Sequence, residues 1–307
     1  MALDKNLANL LQQVADIHDV PQGAYNLRVN SQSYGRRSSE NIEIVPKQDK
    51  PGIDIYIKPG TKKESVHIPV LIAETGIKEL VYNDFHIGEE ADVTIVAGCG
   101  IHNGGDKTSE HSGIHSFFLE KGAKVKYIEK HYGEGDGNGE RLMNPTTVVE
   151  LGEDSYMEME TAQIKGIDST RRVTKAKVGK GATLVINEKI MTHGRQYAET
   201  DFEVDLDGEG SGAHVVSRSV AKDSSRQLYM SKVNGNNLCH GHTECDAIIM
   251  DNGKVDAIPK VSANHVEATL IHEAAIGKIA GEQLTKLMTL GLTEKEAEEE
   301  IIAGFLK

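Results

Sequence analysis

The chain has 307 residues, and 34 Lys and Arg against 47 Asp and Glu give it a formal net charge of −13 at pH 7 with His neutral. That length buries a large core without disulfide staples, and the acidic balance argues against nucleic acid, whose phosphates are held by Lys and Arg. No apolar run approaches the roughly 20 residues of a membrane-spanning helix. The opening MALDKNLANL lacks the basic-then-apolar layout of a secretory leader. The sequence therefore reads as cytoplasmic, with Cys99, Cys239 and Cys245 as thiols, ligands or buried fillers rather than a disulfide framework.

Leu3, Leu7, Leu10, Leu11, Val14 and Ile17 recur at steps of three and four and predict an amphipathic helix. Pro21 and Gly23 mark its end. Asn41–Val45 and Ile53–Ile57 alternate with period two, as short strands entering a sheet. Residues 1–65 are thus an N-terminal helix and a lead-in segment.

Residues 66–263 are read as almost purely β, in short alternating runs such as VTIVAG, KVKYIEKH, ATLVINEKI and HVVSRSVA. Glycines just ahead of strands at Gly88, Gly122, Gly152, Gly181 and Gly212 fall 29 to 34 residues apart. A regular period with at least two strands per unit fits the coils of a parallel β-helix, each rung buried against its neighbours. A hairpin-built β-sandwich is the competing reading, weakened by the scarcity of Asn-Gly and Asp-Gly turns.

Beyond residue 264, His265, Ala268, Ile271, Ala275 and Ile279, then Leu284, Leu287 and Met288, predict a helix stopped by Gly291. Thr293-Glu294-Lys295-Glu296 is a capping box opening a last helix with Ala297, Ile301, Ile302 and Phe305 on its apolar side. The expected fold class is mainly β: a parallel β-helix core with an N-terminal helix and, over 264–307, a C-terminal helical pair.

The densest chemical cluster is Cys239-His240-Gly241-His242-Thr243-Glu244-Cys245. Thiolates with imidazoles are ligands for zinc, iron or iron–sulfur clusters. The spacing is not that of a zinc ribbon, and no second cysteine pair closes a tetrahedral site. On a strand, Cys245 would share a face with Ala247 and Ile249, so a buried structural thiol stands beside the ligand reading. His272-Glu273 resembles the start of an H-E-x-x-H zincin helix, but Ile276 occupies the second histidine's place, which removes the metalloprotease reading. The glycine-rich Gly133–Gly139 reads as an exposed loop or weak calcium loop, and His111 and His115 as loop or strand histidines. Nucleophile-elbow, P-loop and dinucleotide fingerprints are absent.

The ordered series Cys245-Asp246-Ala247-Ile248-Ile249-Met250, Ala257-Ile258-Pro259, His272-Glu273-Ala274, Gly277-Lys278-Ile279, Glu282-Gln283-Leu284, Gly291-Leu292, Glu296-Ala297 and Gly304-Phe305 resembles the C-terminal signature of the SufB/SufD proteins of SUF-type iron–sulfur cluster assembly. The resemblance implies a flattened right-handed parallel β-helix without enzyme activity, dimerising through the β-helix and docking a SufC-like ABC ATPase through its C-terminal helices. It implies that Cys245, His272 and Glu273 hold a transient iron–sulfur cluster at the dimer interface, in a homodimer or with a SufB or SufD relative. Cys239, His240 and His242 are further candidate metal ligands. Ile271 and Leu290 depart from the family pattern, and no cysteine lies between Cys99 and Cys239 to stand for the sulfur-accepting cysteine of longer relatives. The other readings are a structural SufD-like subunit without a cluster, and a β-helix acting on acidic polysaccharide.

Overall fold

The computed structural model describes residues 4–17 and 19–307; Leu3 of the predicted helical stripe lies outside them. After α1 (Lys5–Ala15) come two hairpins, β1 (Ala24–Val29) with β2 (Gln32–Arg37), and β3 (Ile42–Pro46) with β4 (Gly52–Ile57). The chain then winds through β5 (Lys62–Ile72), β6 (Lys78–Ile87), β7 (Asp92–His102), β8 (Ser109–Leu119), β9 (Lys124–Glu134), β10 (Arg141–Met143), β11 (Thr146–Leu151) and β12 (Tyr156–Lys165). It continues through β13 (Ser169–Val178), β14 (Thr183–Thr192), β15 (Tyr197–Leu206), β16 (Ser211–Ala221), β17 (Arg226–Gly235), β18 (Cys239–Ile249), β19 (Lys254–Ala263) and β20 (Ala268–Gly277), and ends in α2 (Gly281–Thr289) and α3 (Glu294–Phe305).

Successive strands alternate between two sheets. One runs β2-β1-β5-β7-β9-β12-β14-β16-β18-β20, the other β19-β17-β15-β13-β10-β8-β6-β4-β3, with β11 also bridging β8 and β13. Strands of the first sheet start 27 to 32 residues apart from β5 onward, and every pairing outside the two hairpins is parallel. The result is a β-solenoid of about eight turns. Along the central strands, such as β14 and β15, inward residues are buried and outward ones mostly half-exposed, as the period of two requires. Phe85 and Phe117, in register on β6 and β8, stack with ring centroids 4.5 Å apart.

Helix α1 covers the outer face of the first sheet at its N-terminal end. Asp4 caps it by accepting a hydrogen bond from the Leu7 amide (2.9 Å). Leu10, Leu11 and Val14 are fully buried, each worth roughly 1.5–3 kcal/mol in burial. The close approach needs Gly98, where a Cβ would fall 2.3 Å from the Val14 carbonyl oxygen.

Three expectations need correction. The helical stripe from His265 to Ile279 is in fact mostly strand: β20 extends the first sheet in register with β18, and helix begins only at Gly281. Its three-and-four apolar spacing carries no weight, because an edge strand with one uncovered side need not alternate cleanly. The coil region reaches beyond 66–263, since β4 already pairs in parallel with β6, and β20 adds a last strand beside β18. Gly212 lies within β16, and the turn glycine of that coil is Gly210, at φ +74°.

Candidate functional site

The cluster at 239–245 lies on β18, whose alternation divides it. Cys239, Thr243 and Cys245 point into the solenoid, while His240 and His242 point out. The sheet therefore keeps the two thiols apart from the two imidazoles, and they do not converge on one ion. His272 and Glu273 lie on β20, not at a helix start. His272, in register with Thr243, shares the interior side with Cys245, which is itself in register with Ala274. Glu273 turns outward, where its Oε2 is 3.7 Å from His242 Nε2. The His242 ring also packs on His214, with centroids 5.0 Å apart. Of the predicted set, the structure brings Cys245 and His272 together on one face, sets Glu273 with His242 on the other, and leaves His240 exposed.

Cys245 is 2% exposed. Burial pushes its thiol up to about 12, reinforced by the charges of Glu188 and Asp246. His272 Nδ1 is 2.6 Å from Thr243 Oγ1, while its Nε2 is buried and makes no hydrogen bond among the described residues. Burial, helped by His242, lowers its pKa and favours the neutral ring that ligates metal.

A column of polar interior residues leads to Cys245. Glu129, Thr161, Glu188, Ser217 and Cys245 stand in direct register on β9, β12, β14, β16 and β18. Glu188 accepts hydrogen bonds from Ser217 Oγ (2.8 Å) and Thr200 Oγ1 (3.1 Å). Arg172, from the opposite sheet, pairs with Glu129 and lies 3.3 Å from Glu188. All three charged side chains are at most 3% exposed. Burial raises the Glu129 carboxyl, but Arg172 and His131 outweigh it and hold it well below the usual range; at Glu188 burial wins and the pKa is raised. The sequence disguised this network, because these charges look like ordinary outward positions until the coil register is known. Gly133–Gly139, by contrast, is a stacked turn: Gly137 N donates to Asn103 O and Gly139 N to Gly105 O. Its glycines are explained by backbone packing, since a Cβ on Gly135 would fall 2.3 Å from Asn103 O. Among the described residues no three His, Cys, Asp or Glu side chains are already gathered to hold a metal ion.

The C-terminal end of the solenoid is open. Strands β19 and β20 are the last of their sheets and expose Ile258, Val261, Ile271 and Ile276, with Val266 between them. Helices α2 and α3 follow, and Ala297 is their one buried residue. They flank a cavity of about 740 Å³ lined by Ile248, Ile276, Ile279, Ile301 and Phe305.

These features define a parallel β-helix protein with a buried thiol and an imidazole at its open end. The chain belongs to the SufBD family: the model described as the SufBD core domain of SUF-system FeS cluster assembly matches residues 80–305. An iron-sulfur cluster assembly SufBD family protein of Archaeoglobus fulgidus is 30% identical over 87% of this chain and 71% of its own length. One of Methanothermobacter thermautotrophicus is 29% identical over 83% of this chain and 62% of its own. The iron-sulfur cluster assembly protein SufB of Bacillus subtilis is 27% identical over 83% of this chain and 55% of its own. Among the described residues no helix is long and apolar enough to cross a membrane.

Proposed function

We propose that this chain is a cytoplasmic scaffold for iron–sulfur cluster assembly, without enzyme activity of its own, that holds a nascent cluster at a dimer interface and is driven by an ABC-type ATPase. The observation that carries this reading is the placement of Cys245 and His272 on one interior face of the last two strands of a sheet, with a free imidazole nitrogen beside a buried thiol. Glu273 would enter the ligand set from the outer face or from a partner subunit. A mixed thiolate, imidazole and carboxylate set binds less tightly than four thiolates, which suits a site that must release its cargo.

The dimer reading is supported by the open edges of β19 and β20 and their exposed apolar residues, since an unpaired strand edge is a template for pairing. Docking of a SufC-like ATPase is supported by α2 and α3, which bury almost nothing on their own chain. A thiol 2% exposed reaches a cluster only if the last strands part, and ATP binding by the partner would supply that two-state change. Co-expression with the ATPase and anaerobic purification tests the reading. Co-elution with near-stoichiometric iron and acid-labile sulfide is expected, and a chain ending at Ala280 loses the ATPase. Co-elution without iron would leave a structural SufD-like subunit.

A further inference from the structure

His111 and His115 lie four residues apart, each two from Gly113, on the interior side of β8, and are 5% and 7% exposed. Each ring has one nitrogen committed. Glu79, which Arg28 holds as a carboxylate, only accepts, so His111 Nδ1–H donates to its Oε2 (3.3 Å). Tyr127 spends its single hydroxyl proton on Glu129 Oε1 (2.9 Å), so it must accept from His115 Nδ1–H (2.7 Å). In the neutral rings both Nε2 atoms then carry lone pairs. These two atoms converge: a Cβ built on Gly113 would lie 3.1 Å from His115 Nε2 and 3.3 Å from His111 Nε2. Both rings line a pocket of about 10 Å³, together with Cys99 and His131. That is room for one small particle, about the least that holds a water.

Two lone pairs aimed at one point cannot satisfy each other, and an electrophile or a donor of two hydrogen bonds set between them would satisfy both. We propose that His111, His115 and Cys99 form an interior site for one divalent transition metal of the zinc and ferrous-iron class. The carboxylate behind His111 and the tyrosine behind His115 are the outer partners that fix tautomer and ring orientation at metal sites. Imidazole and thiolate are the donors this class prefers. Loading proceeds by rotation of the Cys99 side chain toward the two anchored rings, because three donors are not yet gathered. The Cys99 S–H bond breaks as the sulfur–metal bond forms, and the proton leaves to solvent. Cys99 on β7 is five strand spacings from Cys245 on β18, about 24 Å, so the site stands apart from the cluster site and does not depend on it.

The test uses the full chain carrying Cys239→Ser and Cys245→Ser, unfolded with chelator, refolded with one equivalent of Co²⁺ and gel-filtered. One bound Co²⁺ with a thiolate-to-cobalt charge-transfer band is expected. Cys99→Ser should remove the band, and Gly113→Ala, which sets a methyl group between the two nitrogens, should weaken binding at least tenfold. Should the cysteine variants fail to fold, Gly113→Ala against the natural sequence gives the same comparison by Zn²⁺ content. No bound metal, or equal binding with and without the Gly113 methyl, overturns the proposal and leaves a bridging water between the histidines.

Discussion

His272 Nδ1 lies 2.6 Å from Thr243 Oγ1, tying the last strand of the first sheet to its neighbour on the same interior side as Cys245. Among the described residues that bond is the anchor of the His272 ring, because its Nε2 makes none. Thr243→Val keeps the shape and removes the hydroxyl. We expect a loss of about 1 kcal/mol in denaturant unfolding, with lower iron retention at unchanged ATPase co-elution. Unchanged iron retention would show that the orientation of His272 is immaterial.

Arg172 sits between Glu129 and Glu188 in the middle of the solenoid. Removing one member of a buried ion network leaves the others unpaired in a low dielectric. Arg172→Met is therefore expected to destabilise the chain by about 3–5 kcal/mol in urea unfolding. A shift below about 1 kcal/mol would mean that water reaches the interior and screens these charges.

The Cys245 thiol, pushed up to about 12 by burial and then by Glu188 and Asp246, keeps its proton in the folded chain well after an unfolded chain releases it near 9. A raised pKa of this kind stabilises fully below pH 9, and the benefit disappears as pH climbs from 9 toward 12. The natural protein should thus lose melting temperature faster than Cys245→Ala between pH 9 and 11. Iodoacetamide at pH 8 should label Cys245 slowly in the native state and quickly in urea. Parallel melting curves, or fast native labelling, would mean that the thiol is not desolvated.

Much of the fold was legible in the sequence because each coil repeats the same physical problem. Every rung needs a turn and alternating strands at a step near 30 residues, so Gly122 and Gly181, both at positive φ in turns, marked the period. The misreading at β20 has the same origin: the terminal strand is covered on one edge only, and Ala268, Ile271 and Ala275 imitate a helical stripe without the constraint that makes alternation visible. Family resemblance supplied Cys245, His272 and Glu273, whereas spacing alone left Cys245 undecided between ligand and filler. Register was what the sequence withheld. Glu129, Glu188 and Ser217 are far apart along the chain, and only the parallel pairing of β9, β12, β14 and β16 stacks them into one column beneath Cys245. In the sequence His111 and His115 read as loop or strand histidines, because Gly113 between them disfavours a helix. On a strand that glycine instead opens the space their nitrogens share.

The proposed scaffold turns on Cys245 holding the cluster. Its most direct test is the iron and acid-labile sulfide content of Cys245→Ser beside the natural protein, both co-expressed with the ATPase and purified anaerobically, with mass measured by light scattering. Near-stoichiometric iron and sulfide are expected in the natural protein and neither in the variant, with dimer and ATPase association intact. Equal iron and sulfide in the two proteins would contradict it.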